Sequence, residues 1–448
     1  MRNSKSTRLS SPRIIIMGFG LVILIGTILL ALPLASEAGE SIGILDAFFT
    51  SASAVCVTGL IVVDTPSAFT TFGEIVIMFL IQVGGLGFMT FGVIIAILLG
   101  KRIGLKERLL IQQSTNTSSA QGVVRLSLNI FLISVVIEAI SALILTFRWM
   151  GEYGFMRALY YGVFHSISAF NNAGFALWSD SLMQYVGDPV VNLLIAFLFI
   201  TGGIGFTVIL DVSRKRSWKD LSLHTKLVLS VTAVLIVVGT IMIFALEYNN
   251  PATLGDLSTT DKLWASFFQG VVPRTAGFNT LDITSMMAPS LFFIIFLMFI
   301  GASSGSTGGG IKTNTFAVLV LSVFSTIRGQ SDTQIYQRRI ELQFVMRSLS
   351  VIIISLGVVL VSAFLLTITE RNSMENLDFL TILFEATSAF GTVGLSMGLT
   401  YELSPLGKII IIFTMFIGRL GPLTLAFALA QASYKQSYRY AEEKILIG

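Results

Sequence analysis

The chain has 448 residues, of which 54% are hydrophobic and 12% charged; it carries 29 Lys and Arg and 25 Asp and Glu, and its mean hydropathy is +0.84. A soluble domain carries about 25% charged residues, so this composition excludes an ordinary soluble enzyme and a disordered chain. One cysteine, Cys56, and two histidines exclude a disulfide scaffold and a four-cysteine zinc site, and leave little for a catalytic metal centre.

Eight apolar runs of the sequence are long enough to cross a bilayer, which takes about 20 residues. In chain order they lie at 14–34, 74–99, 126–147, 190–212, 225–247, 290–322, 347–369 and 406–430, and the sixth is interrupted. The first run is longer than the apolar part of a signal peptide, and further spans follow it. It is therefore predicted to remain as the first transmembrane helix.

Four shorter apolar runs alternate with the long ones, at 44–55, 158–170, 261–272 and 378–390. They are too short to cross and are predicted to be re-entrant helices. Because unpaired backbone groups cannot face lipid, such half-helices must be enclosed by protein.

Lys and Arg concentrate in the N-terminus, in the loops at 100–125, 213–224 and 328–347, and in the C-terminal tail. The positive-inside rule then places both termini in the cytoplasm, and an even number of crossings agrees with that. All four short helices enter from the outside. The basic loops are assigned to anionic lipid headgroups, with docking of a regulator as a second role, and not to nucleic acid.

The unit of span, short helix, glycine loop and span occurs four times, and a phenylalanine stands ten residues before each loop glycine. The predicted organisation is a cytoplasmic N-terminus at 1–13, repeat 1 at 14–100, repeat 2 with its preceding loop at 101–213, repeat 3 at 214–328, repeat 4 at 329–430 and a cytoplasmic tail at 431–448. Each unit ends on the side where it began, which differs from the inverted repeats of many transporters. The predicted fold is an all-α multipass protein with pseudo-fourfold symmetry around one pore.

The second spans also repeat a motif. The stretch from Gly84 to Thr90 matches the stretches that begin at Gly202 and at Gly418, whereas the third copy, from Gly301, is distorted. Pairs of glycines are common in membrane helices, so one match would be weak. Agreement in three copies together with four glycine loops at one offset favours a true repeat.

The four glycine loops are the candidate ion site. Rings of backbone carbonyls can replace the water shell of an ion, and glycine adopts the required conformations without a Cβ penalty. If the short helices run inward, their C-terminal ends direct partial negative charge at the pore. The loops offer no carboxylate beside their glycines, so the cation is predicted to bind carbonyls only. The candidate ligands are Val57, Thr58, Gly59, Asn172, Ala173, Gly174, Thr275, Ala276, Gly277, Thr392, Val393 and Gly394.

The interruption at 301–312 is the candidate gate, because glycine and serine at this density cannot hold a continuous helix. The residues assigned to it are Gly301, Ser303, Ser304, Gly305, Gly308, Gly309, Gly310 and Lys312. Irregular backbone at membrane depth must line a cavity or be enclosed by protein, which places the segment beneath the filter. A plain flexible connector is the alternative. A near match to a phosphate-binding loop fails, since Ile311 separates Gly310 from the lysine and no soluble strand precedes it.

Two arginines in the apolar part of the chain have two interpretations each. Arg419 replaces the second glycine of the repeated motif in mid-span. It is either a positive charge near the cavity that anchors the gate loop, or the partner of Glu138 in an ion pair. Arg274 stands three residues before Gly277. It either bonds carbonyls of its own loop or pairs with an acid such as Asp282.

From Ile14 to Ala430 the chain resembles the superfamily of K⁺ transporters that comprises Trk, Ktr and HKT, and most of all the bacterial Ktr membrane subunit. The stretches AFNNAGF at 169–175, PRTAGFN at 273–279 and FGTVGL at 390–395 carry this resemblance. It implies K⁺ uptake, often Na⁺-dependent, at a bacterial plasma membrane. It also implies a homodimer with one pore per protomer, docked on a cytosolic nucleotide-binding ring of the KtrA or KtrC type, without a covalent cofactor.

Glycine in all four loops implies, by the family pattern, a preference for K⁺. Val55 and Cys56 stand where that pattern leads us to expect threonines, which puts one side-chain hydroxyl site in doubt. A Na⁺-selective or nonselective pore of the same fold is the alternative. An enzyme would need clustered polar groups in the spans, and a carrier of organic solutes would need a roomy polar site. No ATP motif is present, so the membrane potential is expected to drive uptake.

Overall fold

The computed structural model describes residues 11–99, 104, 112, 122–330, 332–371, 378–429 and 443. Most of the basic 100–125 loop, the predicted N-terminus before residue 11 and most of the tail at 431–448 lie outside these residues. Apart from turns and connecting loops, the described residues are helical except for one small element. An antiparallel hairpin, β1 (Thr333–Ile335) and β2 (Arg338–Ile340), lies in the 328–347 loop, so the all-α prediction is wrong there.

The helices follow the predicted alternation of long and short elements. In chain order they are α1 (Ser11–Leu30), α2 (Ile44–Val55), α3 (Thr65–Ala68), α4 (Thr71–Leu86), α5 (Phe88–Leu98), α6 (Val123–Tyr153), α7 (Phe155–Phe170), α8 (Pro189–Ile204), α9 (Phe206–Arg214), α10 (Leu223–Glu247), α11 (Thr259–Val271), α12 (Ala288–Phe299), α13 (Thr313–Ile327), α14 (Leu342–Thr369), α15 (Phe379–Gly391), α16 (Leu399–Glu402), α17 (Pro405–Leu420) and α18 (Pro422–Leu429). Helices therefore occupy all four short apolar runs, as α2, α7, α11 and α15.

The first span of each repeat is one uninterrupted apolar helix. Among the described residues, four helices are long and apolar enough to cross a membrane: Pro12–Leu30, Val123–Tyr153, Leu223–Glu247 and Leu342–Thr369. A fifth crossing is obtained if α8 and α9, which meet at a bend of 96°, are taken as one span. The count of eight spans and four pore helices thus stays a prediction.

The second spans are broken in every repeat, whereas the sequence predicted a break in the third alone. The breaks in repeats 1, 2 and 4 fall at Gly87, Gly205 and Gly421, whose φ angles are +83°, +97° and +83°. A left-handed residue cannot continue a right-handed helix, and glycine adopts that conformation at little cost. A hydropathy average over many residues does not reveal a break at a single glycine. The prediction of continuous helices at 74–99, 190–212 and 406–430 was therefore wrong.

The four repeats close into a ring. Each short helix that precedes a glycine loop, called a pore helix below, packs against the first span of its own repeat. It also packs against the second span of the preceding repeat: α7 against α4, α11 against α8, α15 against α12, and α2 against α17. The last of these pairings joins repeat 1 to repeat 4. The glycine loops that follow the pore helices are thereby brought to the centre.

The repeated phenylalanine helps to form the core around these helices. Phe49, Phe164 and Phe384 are at most 1% exposed, as expected for side chains packed beneath the loops. In repeat 3 the fully buried position belongs to Phe268, while Phe267 is only partly buried. The third pore helix thus departs from the pattern of the other three.

Candidate ion pathway

The pore helices α2, α7 and α15 end in the same backbone motif. The amide of Asn172 bonds the carbonyl of Ala169 at 3.0 Å, and the amide of Ala173 bonds that of Ser168 at 2.8 Å. Repeats 1 and 4 make the corresponding pair of bonds. This pairing closes a helix through one left-handed residue, and it turns the chain sharply toward the centre of the ring.

Left-handed residues alternate in all four loops. The residue two before each glycine has a positive φ although it carries a side chain: 51° at Val57, 60° at Asn172, 65° at Thr275 and 51° at Thr392. The glycines follow at +86° (Gly59), +73° (Gly174), +75° (Gly277) and +92° (Gly394). Such conformations cost about 1–3 kcal/mol for a residue with a side chain and persist where the surroundings enforce them. The same alternation of backbone conformations in all four loops indicates that the loops form one common site.

The carbonyl groups of these loops share a second feature, the lack of a hydrogen-bond partner among the described residues. In the part of the chain that the structure describes, no carbonyl oxygen of the twelve candidate ligand residues accepts a hydrogen bond. Buried carbonyls are otherwise almost always paired. Unpaired oxygens on four converging loops are suited to replace the water shell of a cation.

The four glycines lie against one another in a closed cycle. A Cβ added to Gly174 would come 2.6 Å from the Cα of Gly277, and one added to Gly277 would come 2.6 Å from the carbonyl oxygen of Val393. A Cβ at Gly394 would collide with the carbonyl oxygen of Thr58, and one at Gly59 with that of Ala173. Each loop therefore abuts the next, and the fourth abuts the first. The structure thus brings the four loop glycines and the residues that precede them together in one cycle.

A repeated serine braces three of the loops, and the sequence interpretation missed it. It stands six residues before the glycine. The hydroxyls of Ser53 and Ser388 each accept a hydrogen bond from the glycine amide at 3.1 Å, and that of Ser168 donates to the carbonyl of Phe175 at 2.7 Å. Repeat 3 has Val271 there. The signal was in the alignment of the four loops, where the serine recurs at one offset in three copies.

One mouth of the loop ring opens into a cavity of about 160 Å³. All four glycines line it, together with the residues that follow them in the chain. Asp64 and Asp282 contribute carboxylates to the wall. Acidic groups around a narrow entrance raise the local concentration of cations. The cavity is called the vestibule below.

The glycine-rich segment 301–312 covers the other mouth of the ring. Its ends are held together by a bridge between Ile300 and Ile311. The hydroxyl of Thr307 lies 2.7 Å from Oδ1 of Asn172, and the amide of Gly309 donates to the hydroxyl of Thr392 at 3.0 Å. A Cβ at Gly308 would collide with the hydroxyl of Thr275. The segment therefore touches the inner residues of three of the four loops.

The remaining predicted gate residues lie in the same segment and hold its shape. The amide of Ser303 donates to the carbonyl of Gly203 at 2.8 Å, and the carbonyl of Gly305 accepts from the amide of Phe206 at 2.9 Å. The hydroxyl of Ser304 donates to Oδ1 of Asn314 at 3.0 Å. Three further hydrogen bonds hold the ends of the segment. The carbonyl of Gly301 accepts from the hydroxyl of Thr313 at 2.9 Å, the amide of Gly310 donates to the carbonyl of Gly418 at 3.2 Å, and the ammonium group of Lys312 donates to the carbonyl of Gly308 at 2.7 Å.

Arg419 joins this segment to the opposite side of the ring. Its guanidinium donates to the carbonyl of Thr307 and, on the other side, to the carbonyls of Gly84 and Gly85, the latter at 3.0 Å. Among the described residues it has no carboxylate partner. Glu138 instead accepts hydrogen bonds from Gln82 at 2.9 Å and from Asn171 at 3.1 Å. The ion pair between Arg419 and Glu138, one of the two interpretations, is wrong.

The structure supports neither of the two interpretations of Arg274. Its side chain is 9% exposed, and its Nε finds no hydrogen-bond partner among the described residues. Asp282 accepts instead from Thr284 and Ser285, at distances of 2.6–3.0 Å. The sequence interpretation missed this local alternative, in which Asp282 bonds the hydroxyls two and three residues after it in the chain.

The repeated glycines of the second spans are explained by close backbone contact. A Cβ at Gly84, Gly202 or Gly418 would collide with the carbonyl oxygen of Val55, Phe170 or Phe390, each at the end of a pore helix. The first glycine of the motif thus lets the second span touch the end of a pore helix. The third glycine is the left-handed break described above.

Replacing Thr307 with valine should raise the transport rate about threefold to tenfold, because a hydrogen bond contributes about 0.5–1.5 kcal/mol net. Valine keeps the shape of threonine but removes the hydroxyl that lies 2.7 Å from Oδ1 of Asn172. Ion flux into vesicles that contain equal amounts of folded protein measures the effect. Ser306→Ala is the control, since that hydroxyl bonds Ser303 within the segment. Equal rates in Thr307→Val and wild type would contradict a closing role of this contact.

The whole chain matches a known family and several of its members. Residues 7–437 match the model of the family described as TrkH, cation transport protein. Ktr system potassium uptake protein B of Bacillus subtilis is 52% identical over 99% of this chain and 98% of its own, and its counterpart in Vibrio alginolyticus is 44% identical over 98% and 95%. The potassium/sodium uptake protein NtpJ of Enterococcus hirae is 37% identical over 100% and 99%.

The fold has a solved counterpart. The crystal structure of the potassium transporter TrkH from Vibrio parahaemolyticus superposes with a TM-score of 0.73, covering 96% of this chain and 87% of that one. The two sequences are 20% identical, so this likeness concerns the fold.

Proposed function

The chain belongs to the TrkH family of cation transport proteins, and on that premise we propose that it is the membrane subunit of a potassium uptake system. The family match confirms the resemblance predicted from the loop motifs, and it confirms that the chain is a transport protein and not an enzyme. The proposed cargo is K⁺. The names of the relatives from B. subtilis and V. alginolyticus support this choice.

The observation that carries the proposal is the closed cycle of four glycines with unpaired carbonyls. In this proposal the carbonyl oxygens of the twelve candidate ligand residues select K⁺ by replacing its water shell. The C-terminal ends of four pore helices add partial negative charge at the same place.

We propose that the segment 301–312 and Arg419 form the gate. The segment lies across the ion path on the side opposite the vestibule, and Arg419 ties it to the second span of repeat 1. A segment rich in glycine can move aside at a low conformational cost. By the distribution of basic residues, the vestibule faces the outside and the gate faces the cytoplasm.

The partners proposed from the family resemblance are a second copy of the chain and a cytosolic nucleotide-binding ring. Relatives that are named as protein B of a Ktr system support an assembly of several components. Na⁺ is proposed as an activating or co-transported ion, and the name of the potassium/sodium uptake protein from E. hirae supports this. A Na⁺-selective or nonselective pore of the same fold is the second candidate.

Growth of a potassium-uptake-deficient bacterium at low K⁺ tests the proposal. Expression of the chain should restore growth, and ion-substitution flux in vesicles should show K⁺ entering in preference to Na⁺. Preferential entry of Na⁺ would support the second candidate. If folded protein moved neither ion, with or without a cytosolic ring, the proposed function would be rejected.

A further inference from the structure

The position nine residues before each filter glycine lies on the pore helix behind its loop. It is occupied by Thr50, His165, Phe268 and Glu385 in repeats 1 to 4. All four side chains are at most 1% exposed. The backbones of the four loops repeat, but these four residues differ in chemistry. The hydrogen bonds that hold each loop from its pore helix can therefore differ among the four repeats at this position.

Glu385 holds the chain that follows the fourth glycine. The hydroxyl of Ser396, two residues after Gly394, donates to Oε2 of Glu385 at 2.9 Å. The hydroxyl of Thr400 donates to Oε1. Both hydroxyl residues line the vestibule, whereas Glu385 is fully buried behind them. One carboxylate thus fixes two points of the vestibule wall to the pore helix.

His165 performs the corresponding task in repeat 2. Its Nδ1 lies 2.8 Å from the carbonyl oxygen of Tyr161, so Nδ1 carries the proton. Nε2 then accepts a hydrogen bond from the amide of Leu177 at 3.2 Å, three residues after Gly174. The imidazole also stacks on Trp178, with ring centroids 4.3 Å apart. The segment after the second glycine is therefore fixed from the same position of the pore helix.

Repeats 1 and 3 lack this connection. The hydroxyl of Thr50 is buried and has no hydrogen-bond partner among the described residues, and Phe268 has no polar atom to offer. In the cycle of glycines, repeats 2 and 4 lie opposite each other, as do repeats 1 and 3. The loops therefore form one pair that is tethered from this position and one pair that is not. The loop of repeat 1 keeps its bond to Ser53, and the segment after Gly277 is held by Ser181 instead.

We propose that Glu385 and His165 are positioning residues that fix the two opposite loops of the filter and thereby set the discrimination between K⁺ and Na⁺. The inference rests on the proposed function of the four loops as a selectivity filter. A carbonyl ring discriminates between ions of different size only if its oxygens resist moving toward the smaller ion. The two loops that are tethered from the pore helix at this position add to that resistance on opposite sides of the ring.

The test compares Glu385→Gln, Thr400→Val and His165→Phe with wild type. His165→Phe introduces the side chain that repeat 3 has naturally. Thr50→Val is the matched control, because it has the same shape change as Thr400→Val at a hydroxyl without a partner. The measurement is the ratio of half-saturating Na⁺ to half-saturating K⁺ concentrations in vesicle flux. The amount of folded protein is determined by size-exclusion chromatography.

Each of the three variants should lower this ratio about tenfold, the factor that corresponds to losing one hydrogen bond to a charged or buried group. Thr50→Val should change it less than about twofold. The effects of Glu385→Gln and Thr400→Val should not add, because both variants change the same hydrogen bond, the one from the hydroxyl of Thr400 to the carboxylate of Glu385. A structural role alone would lower the amount of folded protein and leave the ratio unchanged, and that result would overturn the inference. Failure of the proposed function would instead show in wild type, as absence of K⁺ flux.

Discussion

Replacing Gly277 with serine is expected to lower the discrimination of K⁺ from Na⁺ about tenfold to a hundredfold, since left-handed strain costs about 1–3 kcal/mol. The φ of Gly277 is +75°. A Cβ there would come 2.6 Å from the carbonyl oxygen of Val393 and 2.8 Å from the Cα of Gly174. Both neighbours are backbone atoms and cannot rotate away. The loop must therefore move, and its carbonyl oxygens move with it.

A matched control separates this local effect from the general cost of serine at a left-handed residue. Gly39 has a φ of +69°, and a Cβ added there would meet no atom within 4 Å. Gly39→Ser should therefore leave the K⁺ to Na⁺ ratio unchanged. Serine at Gly59, Gly174 or Gly394 should act in the same direction as at Gly277. A Gly277→Ser protein that is folded and as selective as wild type would contradict carbonyl coordination at these loops.

Replacing Arg419 with glutamine is expected to raise the transport rate about tenfold to a hundredfold. A unit positive charge about 6 Å from the ion path opposes K⁺ by about 3 kcal/mol at an effective dielectric constant of about 20. The substitution also removes the contacts that hold Thr307 against Gly84 and Gly85. Both consequences act in one direction. Vesicle flux at equal amounts of folded protein measures the rate.

A lysine variant distinguishes an electrostatic barrier from a tether at position 419. Arg419→Lys keeps the charge, but a single ammonium group cannot reach carbonyls on both sides as the planar guanidinium does. A low rate in Arg419→Lys would indicate an electrostatic barrier, and a high rate would indicate a tether. Arg339→Gln is the control, because Arg339 is exposed and pairs with Asp332 at 3.0 Å in the hairpin. Unchanged or slower flux in folded Arg419→Gln would reject both roles.

Repeat 3 accounts for much of what the sequence interpretation could not resolve. It lacks the loop serine, since Val271 stands in that place, and the fully buried phenylalanine is Phe268 instead of Phe267. Its pore loop also contains Arg274, for which both interpretations failed. This repeat supplies the segment 301–312, so its departures from the pattern lie in the unit that contains the proposed gate. Reasoning from the other three copies could not extend to it.

The broken second spans show a limit of hydropathy. Apolar composition continues through Gly87, Gly205 and Gly421, so an average over a window sees one span where the chain makes two helices. The glycines themselves were aligned from sequence. A Cβ at Gly205 would meet the backbone of Ser304, whereas one at Gly87 or Gly421 would meet no described atom within 4 Å, so close packing accounts for the break at Gly205 alone.

The sequence by itself determined the four repeated units, the four glycine loops and the position of the glycine-rich segment 301–312. These features are written in local patterns: apolar run length, a fixed offset between phenylalanine and glycine, and glycine density where a helix cannot continue. The partners of Arg419, Glu138 and Thr307 were decided only by the tertiary structure. Arg419 meets Gly84 across 335 positions of the chain, and Thr307 meets Asn172 across 135. Such contacts exist because the repeats pack against one another around a ring, and closure of a ring is a property of the packed helices and not of any one segment.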